Sequence, residues 1–117
     1  MPATQEDATL LMQILQWGSS IGIGEAFAHI YSDDFDSANA DPHNPQVRTV
    51  LSFYEVIGTF VKQGLLDRDL VSDLWALELA WDRVGSAALK AREQTRVPRM
   101  FENFELLAKG APVASGV

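Results

Sequence analysis

Carboxylates, histidines and arginines are the side chains of this sequence with chemistry to offer, and few stand at spacings that chemistry uses. Glu25 and His29 are four residues apart, and so share one face of a helix. A di-metal helical bundle repeats a Glu-x-x-His pair on facing helices. Here the pair occurs once, at the other spacing, and reads as a local helix contact. The second histidine, His43, follows Asp33, Asp34, Asp36 and Asp41. Hard cations take such oxygen ligands, but an EF-hand needs Asp-x-Asp-x-Asp-Gly and a terminal Glu. These acids read as solvated turn residues. The glycine-rich stretch GSSIGIG, residues 18–24, lacks the Lys-Ser/Thr ending that cradles phosphate. No metal or cofactor is expected from this inventory, and the balance leans against an enzyme.

Glu55 stands apart from that list. It lies in FYEVIG, residues 53–58, one of the most apolar stretches. Helical spacing puts Arg48, Ser52, Glu55, Thr59 and Lys62 on one narrow polar stripe. Arg48 and Lys62 are each seven residues from Glu55, about 10 Å along a helix axis. If the stripe faces water, Glu55 is ordinary. If it faces another helix, Glu55 should meet a cation, and Arg83 or Arg92 is the candidate. Other acids, Glu78 and Asp82 on one segment and Glu102 and Glu105 on the next, read as solvated helix faces. Glu105 can reach Lys109 at i+4.

The elements that must hold these residues are helices. The chain has 117 residues and 47% apolar composition, enough for one core over residues 1–110, with 111–117 reading as a disordered tail. Thr4 is a candidate N-cap, with Asp7 completing a capping box. The first helix runs either unbroken to about Tyr31 or breaks near Gly18–Gly24. The period resumed by Ile23, Phe27, Ile30 and Tyr31 favours the unbroken form, with Gly18 and Gly22 as a notch for another backbone. SDDFDSANADPHN, residues 32–44, is a loop. Asn44 and Pro45 open a second helix, apolar nearly all round and therefore central, which ends at Gln63 before Gly64. Asp67 caps a third, whose Leu70, Leu74, Leu77, Trp81, Val84, Ala88 and Ala91 fall in heptad phase. That stripe reads as a packing face within a bundle or, alternatively, as a dimer seam. Pro98 opens a fourth helix. The expected fold is an all-α bundle of four main helices with one acidic loop.

Charge narrows the function classes. The net charge is −7; the first 45 residues hold seven acids and no Lys or Arg, whereas the remainder balances nine acids against nine bases. An acidic first third and a basic late helix should attract one another. A nucleic-acid binder needs a net basic surface, and no apolar run approaches the length of a membrane span. With no cysteine there is no disulfide or thiolate site, which fits a cytoplasmic setting. The N-terminal residues carry no basic region and do not read as a secretory signal.

SFYEVIGTFVKQGLLDRDLV, then Trp81 and Arg83, then AREQTRVPRMFENFELLA, resembles a group of small bacterial helical domains of unknown function. Their pattern joins an aromatic-Glu pair and a nearby Gly, a Gly-apolar-apolar-Asp turn, a Trp on the next helix, and a closing Glu-Asn-Phe-Glu. The resemblance spans roughly 52–108. It implies an all-helical domain and marks Glu55, Arg92, Asn103 and Glu105 as part of the group's pattern. With Trp81 and Arg83 these form the candidate structural or interaction site. The leading expectation is a protein-interaction or homo-oligomerisation module; the alternative is a regulator holding a small ligand between helices, lined by Trp17, Trp75 and Trp81.

Overall fold

A computed structural model describes residues 2–110; the expected tail at 111–117 lies outside the described residues. The described residues are helical, with no strand. Among the described residues there are six helices rather than four: α1 (Gln5–Ser20), α2 (Ile23–Ile30), α3 (Pro45–Lys62), α4 (Arg68–Leu74), α5 (Leu77–Thr95) and α6 (Glu102–Lys109). A single 3-10 turn, Ser37–Asn39, interrupts the loop between α2 and α3.

Helix starts follow local chemistry. Thr4 Oγ1 accepts from the Asp7 amide, and Asp7 Oδ2 accepts from the Thr4 amide, both at 3.1 Å, closing the capping box of α1. Asn44 Oδ1 accepts from the amides of Gln46 (2.9 Å) and Val47 (3.0 Å), with Pro45 in the first turn of α3. Asp67 Oδ2 accepts from the Leu70 amide at 3.0 Å to start α4. Each satisfies amides that a helix leaves without an internal partner.

The two extra helices come from breaks. The expected continuous first helix stops at Ser20, and Gly22 takes a left-handed φ of 78° before α2. Glycine adopts that conformation freely, and the turn lets both flanking helices reach one ring. Trp17 stacks on Phe53 at 5.5 Å, and Phe27 meets it edge-on at 6.2 Å. Gly18 is no notch for a backbone: a Cβ there would stand 2.8 Å from the Phe53 ring, so the glycine seats that ring.

The expected third helix breaks at Trp75 and Ala76, where Trp75 is extended (φ −129°, ψ 143°). The break turns the indole inward, edge-on to Phe53 (5.6 Å) and Tyr54 (6.3 Å). The heptad stripe is therefore not continuous. Leu77, Val84, Ala88 and Ala91 are buried in the chain's own core, which makes that part of it an internal packing face, while Leu74 stands 52% exposed. The last helix begins at Glu102 rather than at Pro98. Residues 97–101 form turns, with Met100 N to Val97 O at 3.2 Å and Glu102 N to Arg99 O at 3.0 Å.

As its composition suggests, α3 is central, packing against α2, α5 and α6. Val47, Val50, Leu51, Phe53, Tyr54 and Ile57 are fully buried along it, each such side chain stabilising the fold by about 1.5–3 kcal/mol. Among the described residues no helix is long and apolar enough to cross a membrane.

The attraction expected between the acidic third and the basic helix takes another form. Arg83 donates from Nε to Ile30 O (2.6 Å) and from Nη2 to Ser32 O (2.8 Å). Ser86 donates to Ser37 O (2.6 Å), and Lys90 Nζ to Ala40 O (3.4 Å). One face of α5 thus holds the loop by its main-chain carbonyls. The salt bridges among the described residues, Arg92–Glu105, Arg99–Glu102 and Lys109–Glu105, all lie beyond residue 91.

Candidate functional site

Five of the six candidate residues converge where α6 lies on α3 and α5. α6 starts at Phe101, an N-cap with a left-handed φ of 60° and no side chain able to cap. Glu55 supplies the missing acceptor from α3: its Oε1 takes the Phe104 amide at 2.9 Å. A carboxylate at a helix N-terminus also meets the positive end of the helix dipole. Glu55 therefore faces another element, as the second reading of its stripe required, but its partner is a helix end. The expected Arg83 or Arg92 partner is not there. Both guanidinium groups bind elsewhere, and the backbone approaches too closely to leave room for an arginine.

Gly58 shows how close. A Cβ built on it would overlap the Asn103 carbonyl and stand 2.6 Å from its carbon. Beside it, Thr59 Oγ1 donates to Glu55 O (2.8 Å) and accepts from Asn103 Nδ2 (3.0 Å). Phe104 is fully buried, stacked on Tyr54 at 4.9 Å and edge-on to Trp81 at 5.1 Å. On the far side, Arg92 donates from Nε to Met100 O and from Nη2 to Glu105 Oε1, both at 2.8 Å. Lys109 Nζ completes the cluster at 2.7 Å from Glu105 Oε2. The residues of FYEVIGT and of ENFE thus face each other directly. Arg83 is not part of this clasp; it closes the end of α2 and lies over the Phe35 ring at 5.3 Å.

The electrostatics divide the two carboxylates. Burial pushes Glu55 above the ordinary carboxylate range, and the Glu102 charge adds to it. The Phe104 and Asn103 amides and the Asn103 side chain pull the other way without cancelling it. Burial also acts on Glu105, but there Lys109 and Arg92 prevail and hold it below its ordinary value. Asn103 Oδ1 is buried with no hydrogen-bond donor. Neutral Glu55 carries an O–H beside that side chain, whereas ionised Glu55 has none to give.

A pH dependence follows. Below the unfolded-state value Glu55 is neutral in both states. As pH rises through the ordinary carboxylate range toward the raised folded value, the unfolded chain releases its proton first, so the contribution of Glu55 is lost. Glu55→Gln keeps an acceptor for the Phe104 amide and cannot ionise. In urea titrations, wild type should lose stability relative to this variant as pH rises through the ordinary carboxylate range and above it. A wild-type-minus-variant difference that stays flat would refute the raised value.

The matching comparison can now be set against this geometry. A family model described as Domain of unknown function (DUF4760) matches residues 4–111. The chain belongs to this family. Neither a search of curated proteins nor one of solved structures gave a match. The matched residues of this DUF4760 domain span all six helices and both halves of the clasp.

Other expected chemistry is dispersed in the DUF4760 fold. Among the described residues no three His, Asp or Glu side chains are grouped to hold a metal ion. Asp36 accepts from Asn39 and Asp41 from the His43 amide, as turn residues do. His29 lies edge-on to Phe35 at 5.4 Å. Gly18-Ser19-Ser20-Ile21-Gly22 spells Gly-x-Ser-x-Gly, but a nucleophile elbow joins a strand to a helix. Here the segment ends one helix and begins another, and Ser20 Oγ is bonded to Trp17 O at 2.6 Å. The three tryptophans do not share a pocket. Trp17 and Trp75 line separate surface hollows, and Trp81 packs on Phe104.

Proposed function

We propose that this domain is a non-enzymatic protein-interaction module that docks a partner segment with a basic amphipathic face. One observation carries the reading: an exposed apolar surface, with exposed acids close to it in sequence, where α2 ends and α4 breaks into α5. Tyr31, Leu74 and Leu79 are 37%, 52% and 50% exposed. With Phe27, Tyr54 and Trp75 they line a hollow of about 250 Å³. Contiguous exposed apolar surface marks interaction sites. Asp33 and Asp34 follow Tyr31, Asp73 precedes Leu74, and Glu78 precedes Leu79; all four are exposed, and none is in a salt bridge among the described residues.

Those acids choose the partner. A two-fold interface brings the same patch against itself, and here it would bring acids against acids, which opposes pairing. A helix with Leu or aromatic anchors and flanking Lys or Arg matches both the hollow and the charge. We take the bacterial cytoplasm as its setting, in keeping with the motif resemblance and the cysteine-free sequence.

The test is a Leu74→Glu, Leu79→Glu double variant with unchanged Tm. The wild-type chain should bind a synthetic Lys/Leu amphipathic helix more tightly at low salt than at high salt, and the variant should lose at least about tenfold in affinity. Equal binding by the two proteins would overturn the reading. Light scattering that finds a dimer which the variant dissolves would replace the partner with a second copy of the chain.

A further inference from the structure

A second hollow combines an arginine with an aromatic wall. About 330 Å³ in volume, it lies between the start and middle of α3, the end of α5 and the turn before α6. Arg48, His43, Gln94, Ser52 and Thr95 supply its polar lining, and Met100 and Phe101 its main apolar wall; no Asp or Glu lines it. The chain holds 16 acids and nine bases, and the one charged side chain lining this hollow is Arg48. Three acids stand next to lining residues in sequence: Asp41 is turned onto the His43 amide at 2.9 Å, Glu102 pairs with Arg99, and Glu93 is exposed.

Arg48 is exposed, and its side chain makes no hydrogen bond or salt bridge among the described residues. His43 Nε2 lies 2.9 Å from Gln94 Oε1. With Gln94 accepting there, its amide NH2 is left as a donor without a partner at the rim. The far wall is held firmly. The turn that carries Met100 and Phe101 begins and ends on left-handed non-glycine residues, Arg96 and Phe101, both at φ 60°, and Arg92 fixes the Met100 carbonyl. Side chains other than glycine are strained in this conformation, and strain of this kind gathers at binding sites.

We infer that this hollow binds a small organic carboxylate, with Arg48 pairing the anion and Met100 and Phe101 covering an alkyl or aryl body. One guanidinium matches a carboxylate in its fork geometry and in charge. A phosphate dianion would remain undercompensated. The site is separate from the docking surface, so either can fail alone.

The experiment is a two-dimensional NMR titration of the full chain with sodium benzoate, benzamide, acetate and inorganic phosphate. Benzoate should saturate and shift amides within 42–52 and 91–101. Benzamide, acetate and phosphate should each bind roughly tenfold more weakly or worse. Arg48→Met should retain the wild-type Tm, since the side chain bonds to nothing, and should lose benzoate binding by about tenfold or more; Arg48→Lys should keep part of it. Leu74→Glu, Leu79→Glu should bind benzoate as wild type does. Equal binding of benzoate and benzamide, an unaffected Arg48→Met, shifts confined to other regions, or phosphate matching benzoate would each overturn the assignment.

Discussion

Gly58→Ala should destabilise the protein by about 3 kcal/mol, although it improves helix propensity. In an open helix the change would stabilise by about 1 kcal/mol. Gly58 is mid-helix in α3, and its missing side chain is the space in which the Asn103 carbonyl sits. The obstacle is backbone, so no rotamer relieves it. Either α6 moves away, breaking the Glu55–Phe104 and Thr59–Asn103 bonds, or α3 deforms. Gly24 supplies the control: it is helical in α2, and an added Cβ meets nothing within 4 Å. Gly24→Ala should be neutral or stabilising by up to about 1 kcal/mol. Urea midpoints measured side by side decide the matter. If both substitutions stabilise, the close approach of α3 and α6 is wrong.

Phe104→Ala should lose about 3–5 kcal/mol, the range for emptying a fully buried aromatic site. Phe104 touches rings on both neighbouring helices, Tyr54 of α3 and Trp81 of α5. Collapse around the void is restrained, because Glu55 and Asn103 hold the α6 backbone in place on α3. The lost ring also removes the edge contact to the Trp81 indole, so folded-state fluorescence should change along with the midpoint. Phe104→Leu retains most of the volume and should lose less. A Phe104→Ala protein with a near-wild-type midpoint would mean that α6 is not part of the cooperative core.

The two expected results share a cause that was only half legible in the sequence. Thr4, Asn44-Pro45 and Asp67 were readable because a cap is a local event, decided within four residues. The central place of α3 was readable from its all-round apolarity. The break at Trp75 carries no glycine or proline. It exists because the indole gains more from the Phe53 and Tyr54 rings than one continuous helix would give, and periodicity within a segment cannot weigh such a gain. Gly22 was ambiguous for the opposite reason: glycine permits both a helix and a left-handed turn, and only packing against Phe53 chooses.

The site shows the same limit. The motifs around Glu55 and around Asn103 and Glu105 stood out in the sequence as residue types, and Arg92–Glu105 is a pair of opposite charges. That Glu55 should cap α6 required knowing that Phe101 cannot, and that α6 starts at Glu102 rather than at Pro98. A search for side-chain partners looks for arginines; the partner was a backbone amide, which every residue but proline carries and no sequence advertises. Arg48 was visible on the polar stripe, but its hollow is assembled from three separated segments.

The tethers between α5 and the acidic loop carry a consequence of a different kind. Arg83, Ser86 and Lys90 hold carbonyls at Ile30, Ser32, Ser37 and Ala40, and carbonyls are the same whatever residue bears them. Asp33, Asp34, Ala38 and Asn39 point outward from that fixed path. Where the fold alone is concerned, these positions can change while the loop keeps its course. The chain thus has a stretch whose outward lettering can be rewritten, by descent or by grafting, without disturbing the frame that displays it.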